Sequence, residues 1–527
     1  MLHNLNLFLS GIFILGVSQT VHGREIQDTQ KNKKKNILFI AVDDLKPLLG
    51  CYGDPIARTP NIDFLASQGT LFEKAYCQQA VSGPTRASLL TGMCPDRTCV
   101  WDLKTLIRNE NPDVVTLPQY FKANGYWVAG IGKIFDQRSV DKEKDGLSWT
   151  VPFTDGWEYL NKEFKEPVMG RYQSEDLRKK YELIEKEGKK KGLSKKMLQK
   201  QIMEANLKPV VEAVDVPDDA YQDGAIANGA IEFLNQYDGN QPFFLAVGIR
   251  KPHLPFCAPV KYWNMYNRDS MSLAEFRRKA ANSPDFAYHD CGEFQGYSDI
   301  PPLMSFSDIA NVVIPDEKAK ELIHGYYACV SYADALVGNI LSTLEEKGLK
   351  DNTIIVFWGD HGWHLGDHGL WNKHTNFEQA THVPMLIVDP SLKGQVGKVE
   401  SPVEFLDIYP TLCDLAGIEK PAHLDGESLS DIMIGKPGVK NEEAYAVSQY
   451  PRGDKMGYSL RTSRYRYTVW VKWENKRTDV NTIYGEELYD YKLDVNETIN
   501  VVDDNNYATA LKQMKLCWDD FCRKRIR

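Results

Sequence analysis

The chain has 527 residues, with 63 Lys and Arg against 72 Asp and Glu and a formal net charge of −9. That length supports one large α/β domain plus a smaller one, with a sizeable buried core. The acidic balance argues against a nucleic-acid binder, but leaves room for an anionic substrate held by local cations.

Taken in chain order, Leu7 to Val17 is an apolar run followed by small residues at Ser18 and Gly23. It reads as a secretory signal peptide over residues 1–23, although the residues before it lack Lys and Arg. It is too short for a membrane anchor, and no other run approaches the ~20 apolar residues a span needs. No Cys directly follows it, so a lipoprotein anchor is not expected. A secreted or periplasmic location follows, with no membrane partner. The ten cysteines are expected to form some pairs in such an oxidising compartment. Their spacings match no zinc pattern.

Residues 24–35 form a polar, basic linker. Asn36-Ile37-Leu38-Phe39-Ile40-Ala41-Val42 is then a continuous apolar run ending in Asp43-Asp44. That pattern predicts a buried parallel strand with two carboxylates at its C-terminal tip. A helix start is expected at Thr59 to Ala66 and a short strand over Phe72 to Tyr76. The next stretch, Val81-Ser82-Gly83-Pro84-Thr85-Arg86-Ala87-Ser88-Leu89-Leu90-Thr91-Gly92, places Ser82 just before a helix that Gly92 stops. Free backbone N–H groups gather there, and Arg86 can lean back toward Ser82 one turn later. Alone, this is an ordinary Ser cap beside a surface Arg.

Thr116 to Asn124 predicts an amphipathic helix, and Tyr126 to Lys133 a strand ending in lysine. Lys162 to Lys208 is charge-dense and reads as a solvated helical insertion. Asp223 to Tyr237 is helical, and Gln241 to Gly248 is a strand leading to Arg250-Lys251-Pro252-His253. Pro255 to Pro315 reads as a long loop, a kind that is often functional. Lys318 to Lys347 is a long helix, Thr353 to His361 a strand with a polar tip, and Val383 to Val388 another strand. From Glu443 to Trp473 aromatic and polar residues alternate, predicting an antiparallel sheet covered by a helix at Tyr507 to Lys524.

If the sheet is parallel, its tips bring Asp43, Asp44, Lys133, His253, Asp360 and His361 to one crevice with Ser82 and Lys373. Three carboxylates together repel one another, and a divalent cation resolves that. Oxygen-rich ligands favour calcium or magnesium, with His361 a less usual partner. His361 with His364, His368 and His374 is an alternative zinc cluster. Arg86, Lys133, His253 and Lys373 supply positive charge for an anionic group.

These segments, in this order, resemble the type I sulfatases, the formylglycine-dependent family, and within it the iduronate-2-sulfatase-like branch. The likeness is carried by Asp43-Asp44-Leu45-Lys46-Pro47, Ser82-Gly83-Pro84-Thr85-Arg86, Lys133, Lys251-Pro252-His253, Asp360-His361-Gly362-Trp363-His364, Lys373 and Ser448-Gln449-Tyr450-Pro451-Arg452. It implies an alkaline-phosphatase-like α/β fold: a mixed, mostly parallel sheet flanked by helices. A catalytic domain is expected over 36–420 and a smaller antiparallel-sheet subdomain over 421–527. It implies a sulfuric ester hydrolase acting on a sulfated oligo- or polysaccharide. The leading substrate is a glycosaminoglycan with 2-O-sulfated iduronate, and an algal glycan such as ulvan is the alternative.

Residue 82 would be converted to formylglycine by a radical SAM maturating enzyme, since a Ser start resembles the bacterial type. The hydrated aldehyde attacks sulfur, the sugar alcohol leaves, and sulfate is expelled. Asp43, Asp44, Asp360 and His361, with residue 82, would bind one calcium ion. Arg86 would orient residue 82 and Lys133 would hold its hydrate and the sulfate. His253 and Lys373 would contact sulfate and leaving group, one of them as general acid. One departure stands out: Asp136 occupies the place of a family His that assists sulfate release, so Asp136 is carried as a candidate base with a shifted pKa. A phosphatase on the same fold and a non-catalytic glycan binder are the rival readings.

Overall fold

The computed structural model describes residues 34–301, 314–392, 395–436 and 444–526. The expected signal peptide, most of the linker and Glu443 lie outside them. Asn36–Val42 forms β1, buried at every position. Its side chains alternate between two cores. Leu38, Ile40 and Val42 join one, whereas Ile37, Phe39 and Ala41 join the other. Both faces of the sheet are therefore covered, which is why the strand reads as an unbroken apolar run.

The other strands of this seven-stranded sheet are β2 (Thr70–Phe72), β3 (Trp127–Gly132), β4 (Phe243–Ile249), β5 (Thr353–Gly359), β6 (Met385–Val388) and β7 (Lys398–Val399). Their spatial order is β7-β2-β6-β5-β1-β4-β3. β1 runs parallel to β4 and β5, and β3 parallel to β4. Only β6 is reversed, antiparallel to both β5 and β2. The ladder carries on past the strand tips. Asp43 N–H donates to Ile249 O at 3.0 Å, Asp360 N–H to Val42 O at 3.1 Å and Lys133 N–H to Gly248 O at 2.8 Å. The polar residues that end the strands are thus fixed by sheet register.

The longer helices among the described residues are α1 (Pro60–Ser67), α2 (Ser82–Thr91), α3 (Leu117–Ala123), α4 (Glu175–Lys190), α5 (Lys195–Glu204), α6 (Gln222–Gln236), α7 (Asp316–Glu346), α8 (Ile408–Ala416) and α9 (Ala508–Arg525). α4 and α5 are the expected solvated insertion. Each starts on a serine whose hydroxyl accepts a backbone N–H, as a Ser cap does. Among the described residues no helix is long and apolar enough to cross a membrane.

The C-terminal sheet pairs β8 (Ala446–Arg452), β9 (Lys455–Arg461), β10 (Tyr465–Glu474) and β11 (Arg477–Asp490) in sequence order, all antiparallel. Met514, Trp518 and Phe521 of α9 cover it. β11 was not expected. None of its first ten residues is buried, so no buried face prints an apolar alternation there.

Several expectations need correcting. Phe72 to Tyr76 is not one strand: β2 joins the main sheet, while Ala75–Tyr76 pairs with His382–Val383 and Val403–Glu404 in a separate small sheet. The run Val383 to Val388 is likewise divided at Pro384, which has no N–H for a ladder. The loop after Pro255 contains the strand Phe256–Pro259, paired in parallel with Val211–Val214. The expected disulfides do not form: Cys51, Cys77, Cys94, Cys99, Cys257, Cys291, Cys329, Cys413 and Cys522 are thiols. A core of this size needs no covalent staples.

Candidate active site

The site sits at the C-terminal tips of β1, β3, β4 and β5, against the N-terminus of α2. That helix is buried along its whole length. Gly83 is required there, because a Cβ would lie 2.7 Å from Ser139 Oγ and 2.9 Å from Asp102 O. Ser82 is the first residue of α2, with Val81 in the capping position. Its Oγ lies 3.1 Å from Asp43 Oδ1, 3.1 Å from His361 Nε2 and 3.1 Å from Lys133 Nζ.

Asp43 is held by cations. Lys133 Nζ donates to both its oxygens at 2.8 and 2.6 Å, and Arg86 Nη2 to Oδ1 at 3.2 Å. Burial works to raise its pKa, yet Lys133, His253 and Arg86 together hold it well below the usual carboxylate range. Asp44, whose backbone takes the left-handed φ of 59°, turns its carboxylate to Lys373 Nζ at 2.9 and 3.0 Å. Burial pushes Asp44 well above its ordinary value, with Lys373 opposing and the charges of Asp43, Glu293 and Asp360 adding to the rise. Burial, then Asp43, pushes Asp360 up to about 6.

His361 has its Nδ1 3.1 Å from Gly362 O, so the proton sits there and the Nε2 lone pair faces inward. Burial, then Lys373, keeps this imidazole neutral. One ligand atom each from Asp43, Asp44, Asp360 and His361 lies within 4.8 Å of the others. Three buried carboxylates and a bare imidazole nitrogen, two of the acids strained toward protonation, fit a divalent cation. The histidine alternative does not assemble: His364 Nε2 bonds Thr375 Oγ1 at 2.9 Å and His368 Nε2 faces Glu497 at 3.8 Å.

Arg86 departs from expectation. It makes no hydrogen bond to Ser82. Its Nε binds Asp360 Oδ2 at 2.9 Å, and its Nη1 binds the carbonyls of Lys133 and Ile134. Fully buried, it ties Asp43 and Asp360 to the end of β3. Its guanidinium fork suits that bridging role.

On the other side of the cavity, His253 Nδ1 lies 2.7 Å from Leu254 O, which leaves Nε2 facing Glu293 Oε1 at 3.3 Å and Asp44 Oδ2 at 3.9 Å. Lys373 is also 3.2 Å from Glu293 Oε2 and stands over the Trp363 ring at 5.0 Å. Asp44 and Glu293 outweigh the burial of Lys373 and hold it firmly protonated. Glu293 was missed by the sequence reading. It lies in the irregular stretch after Pro255, where neither periodicity nor spacing marks it. Burial works to raise it, but Lys373 and His253 bring it down to about 2, so it is a carboxylate.

Asp136 is placed in the cavity wall but not as a base. Arg138 grips it at 2.9 and 2.8 Å through Nε and Nη2, and by its backbone N–H at 3.0 Å. Against its burial, these bonds and Lys133 at 3.9 Å hold Asp136 far below the carboxylate range. The shift runs opposite to what a proton acceptor near neutrality needs.

The whole arrangement opens into a cavity of about 520 Å³ lined by Asp43, Ser82, Lys133, His253, Glu293 and Lys373 among others. The sulfatase family model matches residues 35–418, well over half the chain. This chain belongs to the sulfatase family. A second model, N-sulphoglucosamine sulphohydrolase C-terminal, matches residues 366–522 of this sulfatase. It is 32% identical to the iduronate 2-sulfatase of Mus musculus, over 96% of this chain and 97% of the relative. The Homo sapiens iduronate 2-sulfatase is also 32% identical, over 92% and 94%. An enzyme solved in complex with its substrate D-glucosamine-2-N,6-O-disulfate superposes with a TM-score of 0.68 at 21% identity, over 94% of this chain and 98% of that one. The alkaline-phosphatase-like fold is thereby established, as is the general activity, hydrolysis of sulfate esters.

Proposed function

We propose that this sulfatase removes the 2-O-sulfate of an iduronate-containing glycosaminoglycan, with residue 82 working as formylglycine and Asp43, Asp44, Asp360 and His361 holding one calcium ion. The observation that carries the reading is the meeting of Ser82 Oγ, those four ligands and the cations Lys133 and Lys373 in one buried cluster, whose Asp43, Ser82, Lys133 and Lys373 line the cavity. Similarity to iduronate 2-sulfatases over nearly the full chain supports the substrate. We also assign residues 1–23 as a signal peptide that exports the enzyme, and a radical SAM enzyme as the source of the modification.

When present, the hydrated aldehyde supplies the nucleophilic oxygen, and the cation supplies the Lewis acidity that lowers its pKa. The chain's own residues do the rest. Lys133, within 3.1 Å of Ser82 Oγ, holds the position-82 oxygen and a sulfate oxygen. Arg86 fixes the ligand carboxylates of Asp43 and Asp360. Lys373, kept protonated, neutralises sulfate charge. His253 presents Nε2 to the cavity 3.3 Å from Glu293, but burial, and then Lys373, holds its pKa well below the usual imidazole range, so it is the protonated Lys373 that passes a proton to the leaving alcohol.

Peptide mass spectrometry on the enzyme from its native host should find residue 82 about 2 Da lighter than Ser. The matured enzyme should release sulfate from heparin or dermatan oligosaccharides bearing 2-O-sulfated uronate. An unmodified Ser82 refutes the nucleophile, and release from ulvan fragments alone refutes the substrate.

A further inference from the structure

The cations at the floor of the cavity all have carboxylate partners. Lys133 pairs with Asp43 at 2.6 Å, Lys373 with Asp44 at 2.9 Å, and Arg138 with Asp136 at 2.8 Å. Besides Lys251, whose Nζ donates to the carbonyls of His253 and Pro255, the same cavity is lined by three more, Arg171, Lys208 and Arg250. Among the described residues none of these three forms an ion pair. In a protein with nine more negative than positive charges, three cations without an acidic partner in the lining of one cavity are a conspicuous surplus.

They are held in place rather than free to sweep through solvent. Arg171 Nη1 donates to Tyr297 Oη at 2.9 Å, and Lys208 Nζ stands 5.2 Å from the centre of the same ring. The Lys208 backbone is pinned on both sides: its N–H donates to Ser298 Oγ at 3.0 Å and its carbonyl accepts from Ser298 N–H at 2.9 Å. Arg250 follows β4, three residues before His253. Its backbone N–H is fixed by Asp223, while its Nε is buried without a hydrogen-bond partner. A buried donor left unpaired costs about 1–3 kcal/mol, and a ligand acceptor removes that cost. Burial, and then Arg171, holds Lys208 below the usual lysine range, as expected where no acid balances it.

We propose that Arg171, Lys208 and Arg250 form a second anion subsite, which takes a carboxylate or sulfate of the glycan other than the sulfate ester being cleaved. This rests on the glycan-sulfatase reading above. Two planar guanidinium groups and an ammonium suit both anions. The subsite selects a polyanionic sugar chain over an isolated sulfate ester, because the second charge is matched only on the polyanion.

The test is calorimetric titration of the unmatured Ser82 protein with a heparin hexasaccharide, its carboxyl-reduced form and its N- and 6-O-desulfated form, and with 4-nitrophenyl sulfate. The wild-type chain is compared with the double variant Arg171→Gln/Lys208→Gln, with Arg250→Gln, and with the charge-keeping Lys208→Arg. We expect the double variant and Arg250→Gln each to weaken hexasaccharide binding at least tenfold more than 4-nitrophenyl sulfate binding. Lys208→Arg should retain most of the affinity. Weak binding of the carboxyl-reduced form to the wild type identifies the anion as carboxylate, and weak binding of the desulfated form as sulfate. Equal losses for the hexasaccharide and 4-nitrophenyl sulfate, no loss, or no hexasaccharide binding by the wild type overturns the subsite. Sulfate release by the matured wild type is read separately. Its absence sinks the catalytic reading while the binding result still decides the subsite.

Discussion

At the scale of single residues, position decides which charges work and which are merely held. Lys133 and Asp136 stand three apart on one turn, yet Lys133 reaches Ser82 Oγ whereas Asp136 is neutralised by Arg138. Lys133→Ala should lower kcat by about 10²–10³-fold, the scale of losing a charge-stabilising donor. Asp136→Asn should cost less than about tenfold. Steady-state kinetics on one sulfate ester separates the two, and equal losses would return Asp136 to the catalytic machinery. The ligand cluster makes a second prediction. Asp44 and Asp360 are both pushed toward protonation by burial and crowding, so a bound cation should stabilise the fold by mass action, by about 2.7 kcal/mol at a hundred times Kd. Chelation should lower Tm, calcium should restore it, and Asp44→Asn should abolish the calcium-dependent shift.

At the scale of elements, the long helix α7 caps its neighbour. α1 has no side-chain cap from its own Thr59. Instead Asp334 of α7 accepts from Ile62 N–H at 2.8 Å and Asn61 Nδ2 at 2.8 Å. Burial pushes Asp334 up to about 6, above its unfolded value of about 3.9. A carboxyl with a raised folded pKa binds more protons folded than unfolded, so its contribution to stability grows as pH falls through about 6 and levels off below about 4. Asp334→Asn lacks this gain. The stability of the wild type relative to the variant, followed by Tm, should therefore be greater at pH 5 than at pH 8, by about 1.4 kcal/mol. A difference that shrinks toward acid would show that Asp334 does not titrate in this window.

At the scale of the whole molecule, the C-terminal sheet is clamped to the catalytic part through buried charge. Arg466 of β10 donates to Glu378, to Tyr491 Oη at 2.8 Å and to Ser459 Oγ at 2.7 Å, and pairs with Glu497 at 2.9 Å. Glu378 also takes Arg461 at 3.1 Å and Tyr76 Oη at 2.9 Å, and it lies five residues beyond Lys373. Removing one partner of a buried pair strands the others, at about 3–5 kcal/mol. Arg466→Met should lower the denaturation midpoint accordingly. It should also weaken catalysis if, as the short chain distance to Lys373 implies, the clamp steadies that side of the site. An unchanged midpoint in urea would show that the network carries no stability.

Much of this protein was written in local pattern. The four central strands were legible because burial on both faces leaves an apolar run with no alternation, and a parallel sheet must put Asp43, Asp44, Lys133, Asp360 and His361 at one edge. Ser82 was legible from its helix start. Tertiary structure alone decided the rest, because it depended on contacts between residues far apart in the chain. Arg86 was free to approach Ser82 by helical spacing, but Asp43, Asp360 and the end of β3 took its guanidinium. Asp136 lost its role to Arg138, two residues on. Glu293 reached Lys373 and His253 from a stretch with no period, and Arg171, Lys208 and Arg250 came to line one cavity only when three distant segments were folded together.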